Sequence, residues 1–179
     1  IADNLDIGLN VTLSGADPIL FANSPNNGSI LIDVGGLVTI STETQTFGNS
    51  FSIIAGGNID SGGTLISTQD LADSGLDSGS ISFTSTGGSI TLGALDSSGA
   101  DHAGAGALAS NAGSVSLSTS TGLITVSSID ASGGNATGGG GSVGGDGASI
   151  SIAATGGDVV IGGALTTEGG SGDNAGVSG

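Results

Sequence analysis

The sequence predicts an all-β chain folded as a parallel β-helix, and three observations carry that expectation. The segments Ser80-Ile81-Ser82-Phe83, Ser114-Val115-Ser116-Leu117 and Ser149-Ile150-Ser151-Ile152 open successive copies of one unit, offset by 34 and then 35 residues. A repeat of that length that cannot bury its apolar face alone signals a stacked array. Within each copy the apolar residues alternate at i, i+2 in short runs, which is strand spacing, and the Gly, Ser and Thr between them weaken any helix. Each copy then repeats the same order of apolar points: Ile90/Leu92, Ile124/Val126 and Val159/Ile161, followed by Leu95, Ile129 and Leu165. Short strands separated by Thr/Gly turns make one coil, with inward side chains stacked on their counterparts in the next coil and Gly at the corners.

Taken in order, residues 1–28 stand apart as a first segment. They hold both prolines, Pro18 and Pro25, and the longest strict alternation in the chain: Leu5, Ile7, Leu9, Val11, Leu13. That pattern predicts one long, half-buried strand. It either caps the first coil of its own chain or adds to an open edge on a neighbouring copy, so these five residues are the candidate self-assembly positions. Residues 29–179 read as solenoid repeats. Ile30/Ile32, Leu37 and Ile40 mark an early coil, Phe51/Ile53, Ile59 and Leu65 a second, and the three long copies follow, giving about five coils.

A coil of three short strands and their turns uses about 20 residues, so the long copies carry a surplus. Residues 97–111, 131–147 and 167–176 supply it. They are expected to leave the coil on one side as Gly-rich loops; lying flat as small-residue strands is the other arrangement the sequence allows. The last residues, from Glu168 on, show neither an amphipathic helix nor a charged edge strand, so no cap is expected there. The expectation is that the chain continues or that another copy covers this end.

Composition restricts partners. The chain has no Lys or Arg and sixteen Asp and Glu, a formal charge of -16. Nothing in it can neutralise phosphate, which excludes nucleic acid and disfavours anionic membrane surfaces. Cations or basic proteins are the charged partners left, and the carboxylates also keep a Gly-rich surface soluble. There is no Cys, hence no disulfide framework, and no apolar run approaches the length of a membrane helix. Thirty-eight glycines suggest a linker, yet the positive mean hydropathy of +0.35 gives the apolar surface that disordered chains lack.

Chemical sites are sparse. Calcium suits hard oxygen ligands, and Gly144-Gly145-Asp146-Gly147 and Gly169-Gly170-Ser171-Gly172-Asp173 approach a Gly/Asp calcium-roll pattern without completing it. Asp96 and Asp130 occupy equivalent repeat positions and are expected to stack one coil apart, so Asp96, Asp130, Asp146 and Asp173 are the weak calcium candidates and no other cofactor is expected. His102 is the only histidine and reads as a solvated loop residue. Without Lys, Arg, Trp or Tyr, and with no distinguishable carboxylate pair, the chain is not expected to be an enzyme. Asn10, Asn27 and Asn135 each begin an Asn-X-Ser/Thr triplet, read as accidental.

The units Gly87-Gly88-Ser89-Ile90-Thr91-Leu92 and Gly156-Gly157-Asp158-Val159-Val160-Ile161, with spacers Leu95-Asp96-Ser97-Ser98-Gly99 and Ile129-Asp130-Ala131-Ser132-Gly133-Gly134, resemble the repeats of filamentous-haemagglutinin-type bacterial exoproteins. The resemblance covers residues 51–179. It implies a right-handed parallel β-helix at the bacterial cell surface or outside the cell, serving adhesion, matrix or fibre formation. The expected function is a structural subunit that self-associates end to end into a homopolymer; the alternative is a slice of the stalk of a large secreted adhesin, with receptor or glycan undefined.

Overall fold

A computed structural model describes residues 4–7, 11–13, 19–20, 28–71 and 76–172. Among these the chain is all-β, and its strands run parallel in stacked sheets. The first segment contributes β1 (Asn4–Ile7), β2 (Val11–Leu13) and β3 (Ile19–Leu20). The second contributes β4 (Ser29–Val34), β5 (Val38–Ile40) and β6 (Thr44–Gln45), and the third β7 (Ser50–Ala55), β8 (Ile59–Asp60) and β9 (Ile66–Ser67). The long copies follow: β10 (Ile81–Ser85), β11 (Ile90–Asp96) and β12 (His102–Ala103), then β13 (Val115–Thr119), β14 (Ile124–Asp130) and β15 (Ala136–Thr137). The last is β16 (Ile150–Ala154), β17 (Val159–Ile161) and β18 (Leu165–Thr166).

One sheet takes a strand from each segment in chain order, β1-β4-β7-β10-β13-β16. Because every pairing is parallel and in register, like stacks on like: Ile32 on Ile53, Ile53 on Phe83, Phe83 on Leu117, Leu117 on Ile152. All of this column but Ile152 is buried, and the rings of Phe51 and Phe83 meet edge to face at 5.5 Å. A ten-stranded sheet holds β2, β3, β5, β6, β8, β9, β11, β14, β17 and β18, while β12 and β15 pair as a separate two-stranded sheet. The first half of β11 pairs with β8 and its second half with β9, as β14 pairs with β17 and then β18. Inward residues in β11 are Ile90, Leu92 and then Leu95, a slip from two-residue to three-residue spacing. That slip marks a corner, and Gly93 stands at it because a Cβ there would strike the backbone of Gly63 and Thr64.

Three expectations change. The alternation from Leu5 to Leu13 is not one long strand: β1 belongs to the six-stranded sheet and β2 to the other, each pairing parallel with the strand one segment on. Leu9 lies outside the described residues. Leu37 points out, 39% exposed, and the buried residues are Val38 and Ile40; likewise Ile66, not Leu65, sits under Leu95. In both places two apolar residues are adjacent, and cross-strand register decides between them.

The surplus lies flat. In residues 97–113 the chain turns back on itself, with Ser110 N–H donating to the Ala100 carbonyl and Gly113 N–H to Ser97. Residues 131–148 repeat this through Gly145 to Gly134 and Ala148 to Ala131. The two excursions also pair with each other, Gly99 N–H donating to Ser132 and Gly134 N–H to Ser110. Backbone therefore packs on backbone, and a Cβ on Gly99 or Gly134 would run into the carbonyl oxygen of Ser110 or Ala100.

Candidate functional site: the uncovered face of the last strands

Among the described residues, the last strands leave one face of the core open. β13 and β14 are sealed by the strands after them: Val115, Leu117, Ile124, Val126 and Ile129 are all buried. Their partners Ile150, Ile152 and Ile161 are only partly buried, and Val159 and Leu165 are 41% and 45% exposed. Ile150, Ile152, Val159, Ile161 and Leu165, with Ala148 and Thr167 at the rim, line a shallow depression of about 670 Å³. Its floor is the stacked interior itself, and its border is the outer edge of three parallel strands, whose N–H and C=O groups pair with one neighbour only among the described residues.

Side-chain oxygens fix how a further strand would register. Ser50 Oγ accepts from Ser80 N–H, and Ser80 Oγ from Ser114 N–H. Asn58 Oδ1 accepts from Ser89 N–H, and Ser89 Oγ from Leu123 N–H. On the excursions, Asp101 Oδ1 accepts from Asn135 N–H while Asn135 Oδ1 accepts from Ser171 N–H, and Asp77, just before β10, heads a like column through Asn111 and Asp146. In every case the earlier segment supplies the acceptor and the later one the backbone donor. On the open face Ser149 continues the column of Ser50, Ser80 and Ser114, and Asp158 continues that of Asn58 and Ser89 past an interruption at Leu123.

The calcium candidates are placed as follows. Asp96 and Asp130 do stack, paired in register, and the column ends at Thr166. Each carboxylate is engaged in its own turn: Oδ1 of Asp96 accepts from Ser98 N–H at 3.0 Å and Ser98 Oγ at 2.6 Å, and Asp130 does the same with Ser132. This Asx turn opens the excursion, so the aspartate recurs for a backbone reason. Asp146 is exposed on the second excursion, and Asp173 lies outside the described residues. Among the described residues no three His, Asp or Glu side chains gather as a metal group.

His102 Nδ1 lies 3.1 Å from the Leu108 carbonyl oxygen, and the neighbouring Asp101 carboxylate accepts from the backbone and side-chain N–H groups of Asn135. Asn135 Nδ2 donates to Asp101, which ties the amide of that glycosylation triplet into the stack. Of the self-assembly candidates, Leu5 and Ile7 take register positions opposite the buried Ile32 and Val34, and Val11 and Leu13 those opposite Val38 and Ile40. Hydropathy alone could not find the acceptor columns, because Ser, Asn and Asp exchange freely within them; a shared offset of one repeat is the signal that links them. Among the described residues, no helix is long and apolar enough to cross a membrane. Comparison of the chain with protein-family models, with curated proteins and with solved structures finds no match.

Proposed function

We propose that the chain is a structural subunit of an extracellular or bacterial-surface fibre, a right-handed β-solenoid that continues by adding another parallel turn to the face of β16, β17 and β18. The supporting observation is the match between that face and the opposite end. Apolar Leu5 and Ile7 occupy the same register column as Ile152 and Ala154, and Val11 and Leu13 the same column as Val159 and Ile161. A second copy set head to tail would extend the columns of the two large sheets with strand direction preserved, pairing the edge of β16 with β1. Interior-like burial of Val159, Leu165 and Ile152 drives the contact, at about 25 cal/mol per Å² of apolar surface covered. No catalysis is assigned, and calcium is not required by this reading.

Electron microscopy of the purified chain tests it. Unbranched fibres one solenoid wide are expected, and Ile152→Asp with Val159→Asp should reduce them to short particles of unchanged β-sheet circular dichroism. Dispersed short particles from the unaltered chain at all concentrations would refute end-to-end growth. A second reading, a stalk segment of an adhesin, draws on the excursions, where Leu108 and Val143 pair across successive turns yet stay 65% and 55% exposed. It gains if Leu108→Ser with Val143→Ser abolishes attachment of the chain to cells while fibres persist.

A further inference from the structure

Two corners of the solenoid treat chain length in opposite ways. Where the chain passes from the six-stranded sheet to the ten-stranded one, each segment from the second on uses three or four residues: 35–37, 56–58, 86–89, 120–123 and 155–158. Backbone packs on backbone there, so a Cβ on Gly87, Gly122 or Gly157 would strike the carbonyl oxygen of Gly56, Gly88 or Gly122. The corner that leads back to the six-stranded sheet encloses two residues in the second segment (47–48) and ten in the third (69–78). It encloses fifteen in the fourth (98–112) and sixteen in the fifth (132–147). Across that range the strands that follow, β7, β10, β13 and β16, keep an unbroken parallel register.

One hydrogen-bonded closure recurs at this second corner. The residue leaving the coil is Thr46, Thr68, Ser97 or Ala131, each directly after one of the register-matched residues Gln45, Ser67, Asp96 and Asp130. The residue returning is Asn49, Gly79, Gly113 or Ala148, and in all four its N–H donates to the carbonyl of the leaving residue. In three the leaving hydroxyl donates back, from Thr46 to the Asn49 carbonyl, Thr68 to Gly79 and Ser97 to Gly113. Thr46, Thr68, Ser97 and Ala131 are all buried, so this clasp seals the core and the enclosed segment lies beyond it. The shortest closure is strained, with Phe47 at φ +49° and Gly48 at φ +82°. Lengthening it relieves that strain, and loop closure becomes only slowly less favourable as a loop grows. We infer that this corner is a display port: the clasp completes the solenoid, and the segment beyond it presents surface of free length and sequence without disturbing the core. The excursions are then the exchangeable part of the molecule and the coil its scaffold.

Insertion at the two corners tests this. A Gly/Ser-flanked hexahistidine segment placed between Phe47 and Gly48 is expected to leave β-sheet circular dichroism unchanged and melting within about 5 °C of the unaltered chain. It should also hold the folded protein on a nickel-chelate resin, with the unaltered chain and its single histidine as the unretained control. The same insertion between Gly87 and Gly88 should lower melting by about 10 °C or more, because it parts stacked backbone. Equal losses at the two places, or the larger loss at Phe47, would overturn the port. Thr68→Val removes the hydroxyl and keeps the branched shape. It is expected to speed hydrogen exchange at the Gly79 N–H about tenfold while the Ile81 N–H in β10 is unaffected; no change at Gly79 would overturn the clasp. Both readouts are made on dilute protein, so they stand whether or not copies join end to end.

Discussion

Gly134 and Gly62 show how differently one residue type serves this chain. Gly62 has φ +56° with nothing near the place a Cβ would take, so its requirement is conformational only. Replacing it with Ala costs about 1 kcal/mol of left-handed strain. Gly134 is under no such φ demand, but the carbonyl of Ala100 occupies the Cβ site, and both sides of that contact are backbone held by hydrogen bonds. Gly134→Ala must separate two turns of the stack and is expected to cost about 3 kcal/mol. At about 2–4 °C per kcal/mol for a chain of this size, melting followed by circular dichroism should fall by about 10 °C for Gly134→Ala and by about 3 °C for Gly62→Ala. Equal losses would mean that the excursions do not interlock.

At the level of strands, position in the stack sets the cost of losing a side chain. Leu117 in β13 is covered above by Ile152 and below by Phe83, whereas Ile152 in β16 is covered on one side. Leu117→Ala is expected to destabilise by about 2–5 kcal/mol and Ile152→Ala by less than half as much, measured by chemical denaturation of dilute protein. The strands themselves were legible wherever one repeat could be laid on another: β10, β13 and β16, with the Ile90, Ile124 and Val159 strands, stand where the alternation puts them. Legibility failed at Leu5 to Leu13, where odd-numbered apolar spacing runs on through a change of sheet and so hides the corner. It failed again at Leu37/Val38 and Leu65/Ile66, where only a partner strand selects the inward residue. The flat excursions had no hydropathic signature at all, since their contacts are made by carbonyls and amides that every residue carries. The acceptor columns that would set the register of a further strand were not legible either, because they depend on which N–H each side chain reaches.

For the molecule as a whole, a charge of -16 with no compensating base makes compaction work against self-repulsion. Stacking aggravates it, because register brings Asp96 beside Asp130, while Asp33, Asp60 and Asp101 are exposed without a base to offset them. Screening should relieve this: the Debye length falls from about 30 Å at 0.01 M salt to about 3 Å at 1 M. Melting of dilute protein is therefore expected to rise by about 5 °C or more between 0.01 M and 0.5 M NaCl, and to rise equally with KCl or tetramethylammonium chloride, since screening does not distinguish cations. Calcium provides the discriminating arm. If 1 mM CaCl₂ acts only through its ionic strength, the aspartates of the stack are turn-formers that solvent and salt tolerate. A larger rise, lost in Asp96→Asn with Asp130→Asn but not in Asp60→Asn, would instead assign a bound ion to that column and make the solenoid a calcium-stiffened one.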